Sequence, residues 1–122
     1  MENCIFCKIV QGALPAEKIY EDAEYLAFMD IRPRAPGHCL VIPKKHYRFV
    51  WDVPDIGTYF TIAKTIALAM QRAFGTDTIH SKVEGNEVFH AHVWLYPDPK
   101  DAAREKDDLK GNAQKIRAEL PQ

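Results

Sequence analysis

With 122 residues, 47% of them hydrophobic, the chain can bury roughly two-thirds of its unfolded surface without disulfides, which fits one domain over 1–122 and excludes multi-domain readings. Its 16 Lys+Arg against 17 Asp+Glu leave a net charge of -1, so the basic face of a dedicated nucleic-acid binder is missing, while a small phosphorylated ligand stays compatible. No apolar run approaches the ~20 residues that cross a bilayer, and MENCIFCKIV lacks the basic-then-apolar order of a signal peptide, so the expectation is a cytoplasmic protein with no membrane partner.

The predicted organisation is α+β, without repeats or linkers. Residues 4–11 (CIFCKIVQ) predict a short helix closed by Gly12 and Pro15. KIYED and EYLAFMDI, flanking the turn-prone Glu21-Asp22-Ala23, predict an antiparallel hairpin. After the loop RPRAPG, residues 38–42 (HCLVI) predict a strand that is apolar on both faces, hence central or well covered, with Pro43 at its exit. From residue 54 to 74, Ile56, Tyr59, Phe60, Ala63, Ile66, Ala67, Met70 and Phe74 recur every three or four positions, the stripe of an amphipathic helix. Asp52 is the expected N-cap and Gly75 the stop. Two further strands are predicted at 78–83 and 88–96, and a weaker helix at 107–120 interrupted by Gly111.

The last predicted strand carries the chemistry. Side chains alternate across a strand, so Val88, His90, His92, Trp94 and Tyr96 share one face, and Phe89, Ala91, Val93 and Leu95 an apolar one. Two imidazoles roughly 6 to 7 Å apart along the strand can line one small site. The plainer account, two half-exposed polar residues, must also cover His38 and His46, which fall in the neighbouring segment HCLVIPKKH. Cys4 and Cys7 form a Cys-x-x-Cys, which in a reducing compartment suits either half a zinc site or a redox dithiol; Cys39, inside an apolar run, reads as core.

CIFCKIVQGALPAEKIYED, AFMDIRPRAPGHCLVIPKKH and GNEVFHAHVWLYP stand in the order of the histidine-triad (HIT) family, which residues 4–97 resemble, on a Hint-like bacterial-type branch with an N-terminal Cys-x-x-Cys. The resemblance implies a HIT-like fold: a five-stranded antiparallel sheet, one long helix and one or two shorter ones, commonly dimeric. It implies hydrolysis or transfer of nucleoside monophosphate units, with the middle histidine of His-x-His-x-His, here His92, as nucleophile. Neutral imidazole suits that role, because it is nucleophilic near pH 7 and its phosphoramidate can be broken by water. The resemblance also implies that the His90 carbonyl holds the other ring nitrogen, so the candidate catalytic group is His92, His90 and Trp94.

Trp94 stands where the third histidine belongs, and an indole donates a hydrogen bond but cannot shuttle a proton. By resemblance Asp30 takes the ribose hydroxyls, Phe28 and Ile31 the base, Asn86 and Glu87 the phosphate or leaving-group end, and His38 supports the motif strand. Glu87 beside a phosphate would be repulsive unless it points away. The same resemblance completes a closed, structural zinc site from Cys4, Cys7, His46 and His90. The leading expectation is therefore a purine-nucleotide hydrolase, acting on AMP derivatives such as phosphoramidates or dinucleoside polyphosphates. The alternatives are a nucleotide-binding module that has lost turnover and a zinc-stabilised interaction domain.

Overall fold

The structure, a computed structural model, describes residues 3–100 and 105–121. Helix α1 (Ile5–Val10) is capped by Cys4, whose Sγ accepts the Cys7 N–H at 3.3 Å, and it ends before Gly12 at φ +80°. Strands β1 (Lys18–Glu21) and β2 (Tyr25–Met29) form the expected hairpin. Its turn is closed by Asp22, which accepts the N–H groups of Glu24 at 2.8 Å and Tyr25 at 2.7 Å. β3 (Cys39–Pro43) pairs with β2 over its whole length, and both strands are buried at every position, as the continuous apolar runs require of central strands.

Five antiparallel strands are ordered β1-β2-β3-β5-β4, where β4 is Ile79–Val83 and β5 is Val93–Pro97. Alternation splits the core. Ala27, Met29, Val41, Val93 and Leu95 pack towards α2 (Ile56–Phe74), while Leu26, Phe28, Leu40 and Ile42 meet Phe6 and Ile9 of α1 on the other face. The fold class is thus the α+β one expected, with one long helix and two shorter ones.

Four expectations need correction. The N-cap of α2 is Asp55, not Asp52: residues Val50–Asp52 (η1) form a 3-10 turn, Pro54 separates it from the helix, and Asp55 Oδ1 accepts the Thr58 N–H at 3.1 Å. Asp55→Ala should accordingly cost about 1 kcal/mol in urea unfolding, and more than Asp52→Ala. The α2 stripe is rotated, since Tyr59, Ile62, Ala63, Ile66, Ala69, Met70 and Phe74 are buried but Ile56, Phe60 and Leu68 remain exposed. Gly111 does not interrupt the last helix: α3 (Leu109–Glu119) runs through it, with the Gly111 N–H donated to the capping Asp108 at 3.0 Å.

The fourth correction shapes the site. The strand predicted from residue 88 begins only at Val93. β5 pairs with β3 from Cys39↔Leu95 to Val41↔Val93 and no further, because the chain before Val93 leaves the ladder towards the loop after Pro43. There the Ala91 N–H is donated to the Tyr47 carbonyl at 2.6 Å. Phe89 leaves the apolar face altogether, 53% exposed beneath the Arg48 guanidinium, which lies 3.8 Å from its ring centroid.

Candidate active site and metal centre

The irregular stretch before β5 buries both histidines. His90 donates Nε2–H to the Pro43 carbonyl at 2.7 Å, since a carbonyl can only accept, and this leaves the Nδ1 lone pair bare. That lone pair lies 3.3 Å from Cys4 Sγ and 3.4 Å from Cys7 Sγ, and His46 Nδ1 lies 3.3 Å from Cys7 Sγ. Ligand atoms of Cys4, Cys7, His46 and His90 all fall within 4.8 Å of one another. Tetrahedral zinc, with bonds of about 2.0 to 2.3 Å, sets ligand separations of roughly 3.3 to 3.8 Å. The donors thus form a group able to hold a metal ion, and the Pro43 carbonyl supplies the outer hydrogen bond that orients His90. Burial, then the adjacent Cys4 thiol, push the Cys7 thiol up to about 11, so a divalent ion must displace a proton there on binding.

His92 is held by its own neighbour. Its Nδ1–H is donated to the His90 carbonyl at 2.7 Å, and the edge of Phe6 packs on the ring at 5.3 Å between centroids. Nε2 therefore carries the lone pair, with no partner among the described residues. The ring as a whole is buried, 4% exposed.

Asp30 follows β2 at the edge of this face. Its Oδ1 accepts the Arg32 N–H at 2.8 Å, and Oδ2 lies 3.5 Å from His38 Nε2. His38 accepts the Arg34 N–H at Nδ1, 3.0 Å, so its proton sits on Nε2 and faces the carboxylate. His38 also stacks obliquely on Trp94 and Tyr96, with centroids at 5.0 and 5.1 Å. Burial pushes the His38 pKa down to about 4, with Asp30 opposing and Arg34 assisting, so the folded protein refuses a proton that the unfolded chain takes up below about 6.5. Stability from this group is complete above pH 6.5 and is lost as the pH falls to about 4, by up to roughly 3 kcal/mol. His38→Asn, which keeps an acceptor for Arg34, should flatten the fall in urea-unfolding free energy between pH 6.5 and 4.

The other predicted residues divide. Phe28 is buried, edge-on to Phe6 at 5.5 Å, and Ile31 is 77% exposed. Asn86 and Glu87 are exposed in the loop before the histidines. Cavities of about 570 and 320 Å³ lie elsewhere: the larger is lined by Cys4, His46, Glu87 and Phe89, the smaller by Tyr25, Lys44, Tyr47 and Asp55. Neither of these two is lined by His92 or Asp30. Sequence reading missed Phe6, which no helical spacing to Cys4 or Cys7 marks and which the fold alone brings against the rings of His90 and His92.

The model of the HIT domain matches residues 11–100. The chain belongs to the HIT domain family. A Bacillus subtilis HIT relative named protein hit is 43% identical over 103 residues, 79% of this chain and 71% of that one. An adenosine 5'-monophosphoramidase of Saccharomyces cerevisiae is 39% identical over 99 residues, 77% of this HIT chain and 61% of that protein. A zinc-bound histidine triad family protein from Mycobacterium smegmatis superposes with a TM-score of 0.82 at 32% identity, covering 98% of this chain and 94% of that one. The HIT family therefore includes nucleotide hydrolases and zinc proteins built on this fold.

Proposed function

We propose that this HIT chain is a nucleotide hydrolase or nucleoside phosphoramidase that works through a nucleotidyl-His92 intermediate on purine nucleotides, AMP derivatives above all. One observation carries the reading: the 2.7 Å bond from His92 Nδ1–H to the His90 carbonyl leaves the ring's free lone pair on Nε2. Nε2 attacks the α-phosphorus, the bond to the leaving group breaks with its electron pair going to that group, and water then cleaves the P–N bond to regenerate the imidazole. Asp30, steadied by His38, takes the ribose hydroxyls; exposed Ile31 offers the base a flat apolar contact over Phe28. Asn86 sits at the phosphate end, while Glu87 lines the cavity beside Cys4 and His46, consistent with a carboxylate kept off the phosphate.

Zinc, when bound by Cys4, Cys7, His46 and His90, supplies a closed structural ligand set with no open position. Held there, it would tie α1 to the segment whose carbonyl orients His92. The exposed Ile56, Phe60 and Leu68 of α2 and the edge position of β4 in the sheet support a homodimer that light scattering would detect. No described helix is long and apolar enough to cross a membrane, and the balanced charge offers no basic face to nucleic acid.

The deciding assay offers adenosine 5'-phosphoramidate and diadenosine triphosphate to the zinc-loaded protein and follows AMP by chromatography. Release from neither substrate rejects the enzymatic reading. Trp94 favours a second one, nucleotide binding without turnover, because its enclosed indole cannot deliver a proton. AMP binding by calorimetry without hydrolysis, together with recovery of activity in Trp94→His, would establish that alternative.

A further inference from the structure

The position that departs from the triad is built into something else. Trp94 of β5 pairs across the ladder with Lys82 of β4, and Lys82 Nζ lies 4.8 Å from the indole centroid. Arg34, from the loop before β3, places its guanidinium carbon 4.8 Å from the same centroid. Two cations thus share one ring, within two residues of His92 along the chain and on the side of the sheet where Phe6 meets His92. Trp94 Nε1–H is enclosed without an acceptor, so the indole itself holds no anion between the guanidinium and the ammonium. Arg34 has no carboxylate partner among the described residues. Lys82 has one, Glu84 at 3.3 Å, an exposed pair that contributes little.

The geometry points to Arg34 and Lys82, seated on Trp94, as a leaving-group subsite for a phosphate chain, which makes phosphoanhydrides rather than phosphoramidates the preferred substrates. The inference rests on His92 acting on a bound nucleotide. When Nε2 bonds to the α-phosphorus of an anhydride, the breaking P–O bond gives its electron pair to the bridging oxygen. The product is a stable phosphate anion that needs no proton. Breaking a P–N bond instead leaves charge on nitrogen, which must take up a proton as the bond breaks. A third histidine can supply that proton and Trp94 cannot. Replacing a proton donor with a ring that seats two cations exchanges acid assistance for charge stabilisation, and only an anionic leaving group benefits.

The test compares AMP with α,β-methylene-ADP, whose extra phosphate cannot be cleaved off, by calorimetry on the zinc-loaded protein at low and high salt. The expected result is that the analogue binds roughly tenfold tighter than AMP, with an advantage that salt weakens and that the double variant Arg34→Ala/Lys82→Ala reduces to within about twofold. Both side chains are exposed, and the Arg34 backbone N–H that serves His38 survives the change. In turnover, kcat/KM for diadenosine triphosphate should exceed that for adenosine 5'-phosphoramidate by at least about tenfold, and Trp94→His should narrow the ratio. AMP binding with no gain from the extra phosphate, or a gain that persists in the double variant, overturns the subsite alone. Failure to bind AMP overturns the nucleotide reading and the subsite with it.

Discussion

Replacing His92 with asparagine is expected to lower kcat on a cleavable AMP derivative by at least about 10³ to 10⁴-fold, while AMP affinity changes by less than about tenfold. Asparagine can still donate a hydrogen bond to the His90 carbonyl, so the local backbone keeps its anchor, but it offers no nucleophilic lone pair to phosphorus. His90 cannot substitute for it. Its Nε2–H is occupied by the Pro43 carbonyl, and its Nδ1 is turned towards Cys4 and Cys7. Mass spectrometry of acid-free, rapidly quenched protein should find one nucleotidyl unit on wild type and none on the variant. Comparable turnover by both proteins would remove the covalent mechanism outright, whatever the leaving group.

The second large effect is expected at the metal centre. Cys7→Ser, or exhaustive chelation of the wild-type protein, should lower stability by about 3 kcal/mol or more, which corresponds to roughly 10 °C in Tm for a domain of this size. The cost arises because a bound cation is what draws buried Cys7 into its thiolate, which burial and the neighbouring Cys4 otherwise disfavour, so the binding free energy is lost from the folded state with the metal. Loosening α1 also releases Phe6 from the ring of His92. Turnover should therefore fall along with stability, and zinc should restore both in chelated wild type but not in Cys7→Ser. An unchanged Tm after complete metal removal, checked by elemental analysis, would contradict a structural role.

The order of elements was readable along the chain because each advertises itself locally. β2 and β3 are continuous apolar runs, α2 repeats every three or four residues, and Gly75 adopts the positive φ that a helix stop uses. Errors fell where local signals compete. Asp52 and Asp55 are equally good capping residues, and only the 3-10 turn ahead of Pro54 decides between them. Residues 88–92 alternate like a strand, yet they have no ladder partner, since β3 pairs with β5 no further than Val41↔Val93. A strand exists only where a neighbour pairs with it.

By itself the sequence determined the chemistry available: two thiols one helical turn apart, imidazoles concentrated in two segments, and an indole where a third imidazole would complete the triad. Tertiary structure alone decided how that chemistry is divided. The Pro43 carbonyl, 47 residues away from His90, takes one ring nitrogen and so turns the other to the cysteines, whereas the carbonyl of His90 turns His92 the opposite way. Which nitrogen of an imidazole carries the proton depends on what faces it; for His90 a residue remote in sequence supplies that partner, for His92 one only two positions away.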